Sequence, residues 1–358
     1  MSKILNILIT GVGGPTPRSF ARAIKDIGNY SDYRLVATDI HAYAIGLYLF
    51  DLFDAAYITP KSSEPGYWEK IEKIIVDEEI DLAIILPEQE VLAWSKKQEE
   101  GVLPCKALIP HKAAVDKMLD KGVLTQVLSK SGLVPHSVII DINSQELKNE
   151  TESKLLYPYW IRSATGSSGL GSFKIEKYED LLKWISINKG ITNFIASDYL
   201  PGRNLACKML YFEGRLIRAA CAERIQYIMA KVSPSGITGN TSYGRFINDK
   251  NVFQRSEKAM DIMFEHTGAL KHGFFTVDLK EDAHGQPMIT EINVRHVAFT
   301  QCFAAAGANF CEDTVRLLDE DIHFNPHFQL YHFSEGLIFL RDVDERPIIM
   351  NEENLLSV

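Results

Sequence analysis

The sequence predicts an α/β chain: a parallel sheet at the start, then a second unit of mixed strands and helices. Three observations carry this expectation. Short apolar runs alternate with helical spacing over the first part of the chain, the texture changes at Lys112, and two strand-like segments meet at a turn around His284. The length agrees, since 358 residues exceed the roughly 250–300 that one core usually serves.

Ile4 to Thr10 is an apolar run ending in Gly-Val-Gly-Gly-Pro, a strand closed by a tight loop, and Arg18 to Ile27 follows with helical spacing. Arg34–Asp39 and Asp81–Leu86 read as strands, with a helix from Tyr67 to Glu79 between them. Such alternation indicates a parallel sheet covered on both faces. Ala113 to Ser131 reads as one helix ended by Gly132, and Ser137–Asp141 as a strand. Tyr159–Arg162 and Ser172–Ile175 are strands flanking a glycine-rich loop; Asn193–Leu200 and Ala206–Phe212 are two more. Residues 326–358 read as short strands and a frayed end without recognisable chemistry.

Hydrophobic content of 46% and charged content of 24% are ordinary for a globular protein. A net charge of −9 argues against nucleic acid as the main ligand, because backbone readers carry a basic face. A few local cations can still hold a nucleotide. No stretch approaches the ~20 apolar residues of a membrane span, and the opening run reads as a buried strand rather than a leader. Five scattered cysteines without a CxxC pair suggest neither disulfides nor a zinc knuckle, so a reducing cytoplasm is the expected setting.

Gly273–Glu281 and Gln286–Val294 alternate as strands around Asp282-Ala-His-Gly285. With Glu281 facing Gln286, Asp278 faces Ile289, and Asp278, Glu291 and Asn293 share one side of the hairpin. Two carboxylates and an amide converging there repel one another unless a hard divalent cation, Mg²⁺ or Mn²⁺, takes their oxygens. The plainer alternative is the solvent side of an amphipathic hairpin. Arg295, next in sequence, offers a fork for phosphate or carboxylate.

Arg162-Ser-Ala-Thr-Gly-Ser-Ser-Gly-Leu-Gly171 can offer backbone N–H groups and hydroxyls to phosphate through Gly166, Ser167, Ser168 and Gly169. It is equally a form that plain hairpin turns take, and it is not a Walker sequence. Lys121 reads as a helix lysine, solvated or phosphate-bound; Arg162 ends a buried strand and needs an anionic partner.

In this order the parts resemble the ATP-grasp superfamily, most closely its biotin carboxylase and carbamoyl phosphate synthase branch, over about residues 1–325. Asp120-Lys121 with Gly132-Leu-Val-Pro resembles the Asp-Lys…Gly-Ile-Pro segment, and implies that Lys121 contacts ATP. Tyr157 to Gly169 resembles the second phosphate-binding strand and flexible loop, with Arg162 where lysine is usual. Ile195-Ala-Ser-Asp-Tyr-Leu-Pro-Gly resembles the hinge, which implies adenine beside Ser197, Asp198, Tyr199 and Leu200. Asn204 stands where a ribose-binding Glu is usual. Glu291-Ile-Asn-Val-Arg is similar to Glu-x-Asn-Pro-Arg, with Asp278 thirteen residues earlier, and implies the metal triad Asp278, Glu291 and Asn293.

The resemblance implies an ATP-grasp fold, two α+β subdomains clasping ATP, in residues 111–325, with a small lid subdomain at about 133–200. Residues 1–110 would be a Rossmann-like pre-ATP-grasp domain lining the acceptor side through Gly13, Gly14 and Glu88, and 326–358 a short extension. The competing dinucleotide reading of Gly11-Val-Gly-Gly with Asp39 lacks a third glycine, and Pro15 and Pro17 remove donors.

The implied activity is a ligase in which a substrate carboxylate takes the γ-phosphate of ATP, and an amine displaces phosphate from the acyl phosphate. Arg295 would meet the transferred group, and Arg224 with Lys231–Gly244 would border the acceptor pocket, although a mobile surface loop suits that segment as well. A carboxyphosphate-forming enzyme and a non-catalytic nucleotide-binding module are the alternatives. Partners are a small-molecule carboxylate and amine, with no nucleic acid or membrane. Because dimers are common in the family, a homodimer is the implied assembly.

Overall fold

The computed structural model describes residues 4–164, 171–191, 193–233, 236, 238–342 and 348–354. Three sheets organise them. The first holds five parallel strands in the order Ala55–Ile58, Asp32–Asp39, Ile4–Thr10, Leu82–Ile84, Lys106–Ala107. Alternate residues of its central strand enter different cores: Leu8 packs with Val36 and Ala83, while Leu5, Ile7 and Ile9 pack with Leu35 and Ile84. This is the two-sided burial expected of a parallel sheet. One face is covered by distant chain, because Ala304, Cys311, Val315 and Leu318 join that core.

The second sheet is antiparallel, in the order Ser137–Asp141, Asn193–Asp198, Tyr159–Ser163, Phe173–Ile175. Ile140, Tyr159, Ile161, Ile175 and Phe194 give it a core of its own. The third runs Pro287–Asn293, Gly273–Glu281, Asn204–Phe212, Arg215–Tyr227, Thr241–Ile247, Leu337–Leu340, Ile348–Asn351, with Gln329–Leu330 beside Arg215–Tyr227. The tail thus adds strands to the central sheet. The helix Lys250–Thr267 backs it with Val252, Ala259, Met260 and Met263; Asp249 caps its start and Gly268, at φ 64°, ends it.

Two local expectations are corrected. The single helix over Ala113–Ser131 is two α-helices, Lys112–Met118 and Lys121–Leu128, with a short 3₁₀ turn after them. Asp120 interrupts it by accepting the backbone N–H groups of Gly122 and Val123, which caps the second helix and makes Lys121 its first residue. The hairpin register also differs: Glu281 pairs with Pro287, and Asp278 with Glu291 rather than Ile289. The turn accounts for one residue of this shift, and Thr290 for the second. Thr290 is an extra residue, a β-bulge between the Leu279–Ile289 and Asp278–Glu291 pairs. Hence Ile289 and Ile292, three apart, are both buried in the core, which an unbroken strand forbids.

Candidate functional site

A cavity of about 370 Å³ lies between the second and third sheets. Lys121, Arg162, Ser197, Asp198, Tyr199, Leu200, Arg224, Asp278 and Glu291 all line it. These nine candidates come from six stretches of chain and meet only through the fold. Gly166, Ser167, Ser168 and Gly169 lie outside the described residues. Asn293 and Arg295 do not line the cavity; Asn293 reaches it by its amide, as follows.

Asp278 and Glu291 stand opposite each other on adjacent strands. Asn293 Nδ2 donates to Asp278 Oδ2 at 3.2 Å and to Glu291 Oε1 at 3.5 Å. Lys121 Nζ lies 3.3 Å from Glu291 Oε2. Arg224 is tied down rather than open to an acceptor: it donates to Asp278 Oδ1 at 2.9 Å, Thr241 Oγ1 at 2.9 Å and the Gly239 carbonyl at 2.8 Å. Burial, with Glu291 adding to it, pushes the Asp278 carboxyl up to about 6 against the pull of Arg224. Burial acts on Glu291 in the same sense, but Lys121 and Arg162 hold it below the usual range. Two facing carboxylates and a neighbouring amide are a hard-oxygen set of the kind a divalent cation takes, with phosphate or water completing the shell. Among the described residues no cluster of three or more His, Cys, Asp or Glu side chains suits a metal. A cation held here would need the Asn293 amide as its third protein ligand.

Arg162 donates to the carbonyl of Thr290, so the bulge gives this half-buried cation its anchor. Arg295 stands outside the cavity lining, though near enough to feel the charges of Glu291 and Asp278. It donates to the His296 carbonyl at 3.0 Å and lies 3.9 Å from Glu88, at the joint with the first sheet. In that sheet Asp39 accepts the N–H groups of Gly13, at 2.8 Å, and His41, at 2.9 Å, so it is committed to shaping the loop instead of a ribose. A Cβ on Gly13 would come within 3.0 Å of that same carboxylate, which is why glycine stands there.

Sequence reasoning missed Lys280, Trp160 and Tyr227, which also line the cavity. Lys280 Nζ donates to Asn204 Oδ1 at 3.1 Å and the Gly202 carbonyl at 3.0 Å, placing a cation beside Asn204. The alternation of Gly273–Glu281 left Lys280 on the same side as Asp278 and was the available signal. It also missed Lys208, wholly buried, whose Nζ donates to Thr300 Oγ1 at 2.8 Å beneath Phe299 and Phe303.

All five cysteines are free, and no helix among the described residues is long and apolar enough to cross a membrane. No family model matches the sequence, and no curated protein does. Solved structures do. N5-carboxyaminoimidazole synthetase from Staphylococcus aureus, complexed with ADP, is similar at TM-score 0.69 and 14% identity, covering 94% of this chain and 82% of that one. Biotin carboxylase from Campylobacter jejuni gives 0.66 at 16%, covering 95% and 76%. L-amino acid ligase from Bacillus licheniformis gives 0.63 at 13%, covering 94% and 78%. At these identities the likeness is one of fold: the chain has the ATP-grasp fold.

Proposed function

We propose that this protein is an ATP-dependent ligase that phosphorylates a substrate carboxylate and joins the resulting acyl phosphate to an amine. One observation carries the reading: Lys121, Arg162 and Arg224 line the same cavity as the facing pair Asp278 and Glu291. Three cations and a carboxylate pair suit a polyphosphate brought in with a divalent cation. Asp278, Glu291 and Asn293 would hold Mg²⁺ or Mn²⁺, which when bound neutralises phosphate charge. Ser197, Asp198, Tyr199 and Leu200 border the end of the cavity suited to the base. Lys121 and Arg162 bind phosphate oxygens and orient the γ-phosphoryl group, so that catalysis is by position and charge. Arg295, beside Glu88, faces the first sheet and would steady the acyl phosphate from the acceptor side. Closure around the acyl phosphate excludes water, which would otherwise hydrolyse it.

The test is ADP release with Mg²⁺ and ATP over a panel of carboxylic acids, each with and without an amine. Release that needs one acid and one amine supports ligation. Two similar structures are named as a carboxyaminoimidazole synthetase and a biotin carboxylase, so bicarbonate belongs in the panel. Stimulation by bicarbonate alone would favour carboxyphosphate formation, and nucleotide binding without any turnover would favour a binding module. The compartment and a homodimeric assembly are part of the same proposal; one neighbour is named as a biotin carboxylase domain dimer.

A further inference from the structure

Every oxygen of the Asp278–Glu291 pair already accepts a donor from the protein. Asp278 Oδ1 takes Arg224 Nη1 at 2.9 Å, and Oδ2 takes Asn293 Nδ2 at 3.2 Å. Glu291 Oε1 takes the same amide nitrogen at 3.5 Å, and Oε2 has Lys121 Nζ at 3.3 Å. An asparagine that ligates a hard cation must present Oδ1, whereas here its NH₂ faces the carboxylates. Arg162 adds a third cation behind Glu291.

The charge balance has a consequence for binding order. Lys121, Arg162 and Arg224 outnumber the two carboxylates, and the Asp278–Arg224 end of the cluster is buried. A divalent cation arriving alone must displace protein donors and add two positive charges to a cluster that is already compensated, which desolvation makes costly. A polyphosphate changes this. Lys121 and Arg224 both line the nucleotide cavity, so phosphate oxygens can take over their N–H groups and release carboxylate oxygens to the cation. A half-turn of the Asn293 amide then presents its oxygen.

Building on the ATP-site reading above, we infer that Lys121 and Arg224 are counter-ion switches. They exchange carboxylate for phosphate when nucleotide binds, so metal and nucleotide bind with strong positive coupling and metal alone binds poorly. By linkage each ligand tightens the other by the same factor.

The experiment titrates the full chain with Mn²⁺ and reads free Mn²⁺ by electron paramagnetic resonance, with and without saturating ADP, after correcting for Mn²⁺ held by ADP alone. The expected result is Mn²⁺ affinity at least ~10-fold tighter with ADP, within the usual range of coupling. Arg224→Met and Lys121→Met, each checked for native circular dichroism, should narrow that ratio to below about 3-fold, chiefly by tightening Mn²⁺ binding without nucleotide. Lys121 is at a helix start, so its variant serves if Arg224→Met fails to fold. A wild-type ratio near one overturns the switch while leaving the ATP-site reading intact, and so does an unchanged ratio in a folded variant. Absence of any Mn²⁺ or ADP binding overturns both.

Discussion

Asp278 and Glu291 face each other across two strands because Thr290 is inserted between Ile289 and Glu291. Had the ladder run regularly from the Leu279–Ile289 pair, Glu291 would lie opposite Val277 and point into the core. The insertion restores parity. It also turns the Thr290 carbonyl toward Arg162, and lets the Thr290 hydroxyl donate to the Asp278 carbonyl at 3.0 Å.

Removing one carboxylate of the pair should cut turnover steeply and leave the fold intact. Asp278→Asn keeps the shape and an oxygen acceptor for Arg224 while halving the pair's charge. A fall of about 10²–10³ in ADP release is expected, comparable to loss of one aligned electrostatic group. A variant that turns over normally would sink the assignment.

Deleting Thr290 tests the bulge. The Leu279–Ile289 and Asp278–Glu291 pairs can both persist in a regular ladder, so secondary structure should survive. Arg162 loses its carbonyl acceptor, and a buried donor left unmade costs about 1–3 kcal/mol. Denaturant titration should report that loss together with weaker ADP binding. Unchanged stability would mean that Arg162 finds an equivalent partner.

Lys208 gives a pH signature. Burial pulls its ammonium down to about 7, far below an exposed lysine. Between about pH 7 and the ordinary lysine range the unfolded chain therefore binds more protons than the folded one. Stability from this group rises with pH across that window. Lys208→Met removes the slope. Relative to the variant, the wild type should gain melting temperature between pH 7 and 10. A constant difference would show that Lys208 stays charged when folded.

Glu90 carries the opposite sign. It is buried against Tyr67, whose hydroxyl lies 3.1 Å from Oε2, and burial pushes its carboxyl up to about 7. The folded state then holds a proton that the unfolded state has lost, so this contribution is full below the ordinary glutamate range. It fades as pH rises through about 7. Glu90→Gln should be more stable than wild type at pH 8 and nearly equal to it at pH 4, by thermal melts at both.

Much of this was legible in the sequence by itself. The apolar run Ile4–Thr10 and its helical neighbours implied a two-sided parallel sheet, because burial on both faces demands continuous apolar strands. The period-two pattern around His284 placed Asp278, Glu291 and Asn293 on one face, and the order of motifs pointed to the ATP-grasp fold. The tertiary structure decided the rest. A bulge leaves no local signature, since Thr290 suits a regular strand as well as an insertion, so pairing partners could not be counted from the turn. Asp120 divided a helix because capping two free N–H groups outweighed an unbroken apolar periodicity. Arg224, read as an acceptor-side residue, is bound to Asp278, and the buried Lys208 is held by Thr300, 92 positions away. Such pairs depend on which strands lie side by side, and charge alone does not encode that.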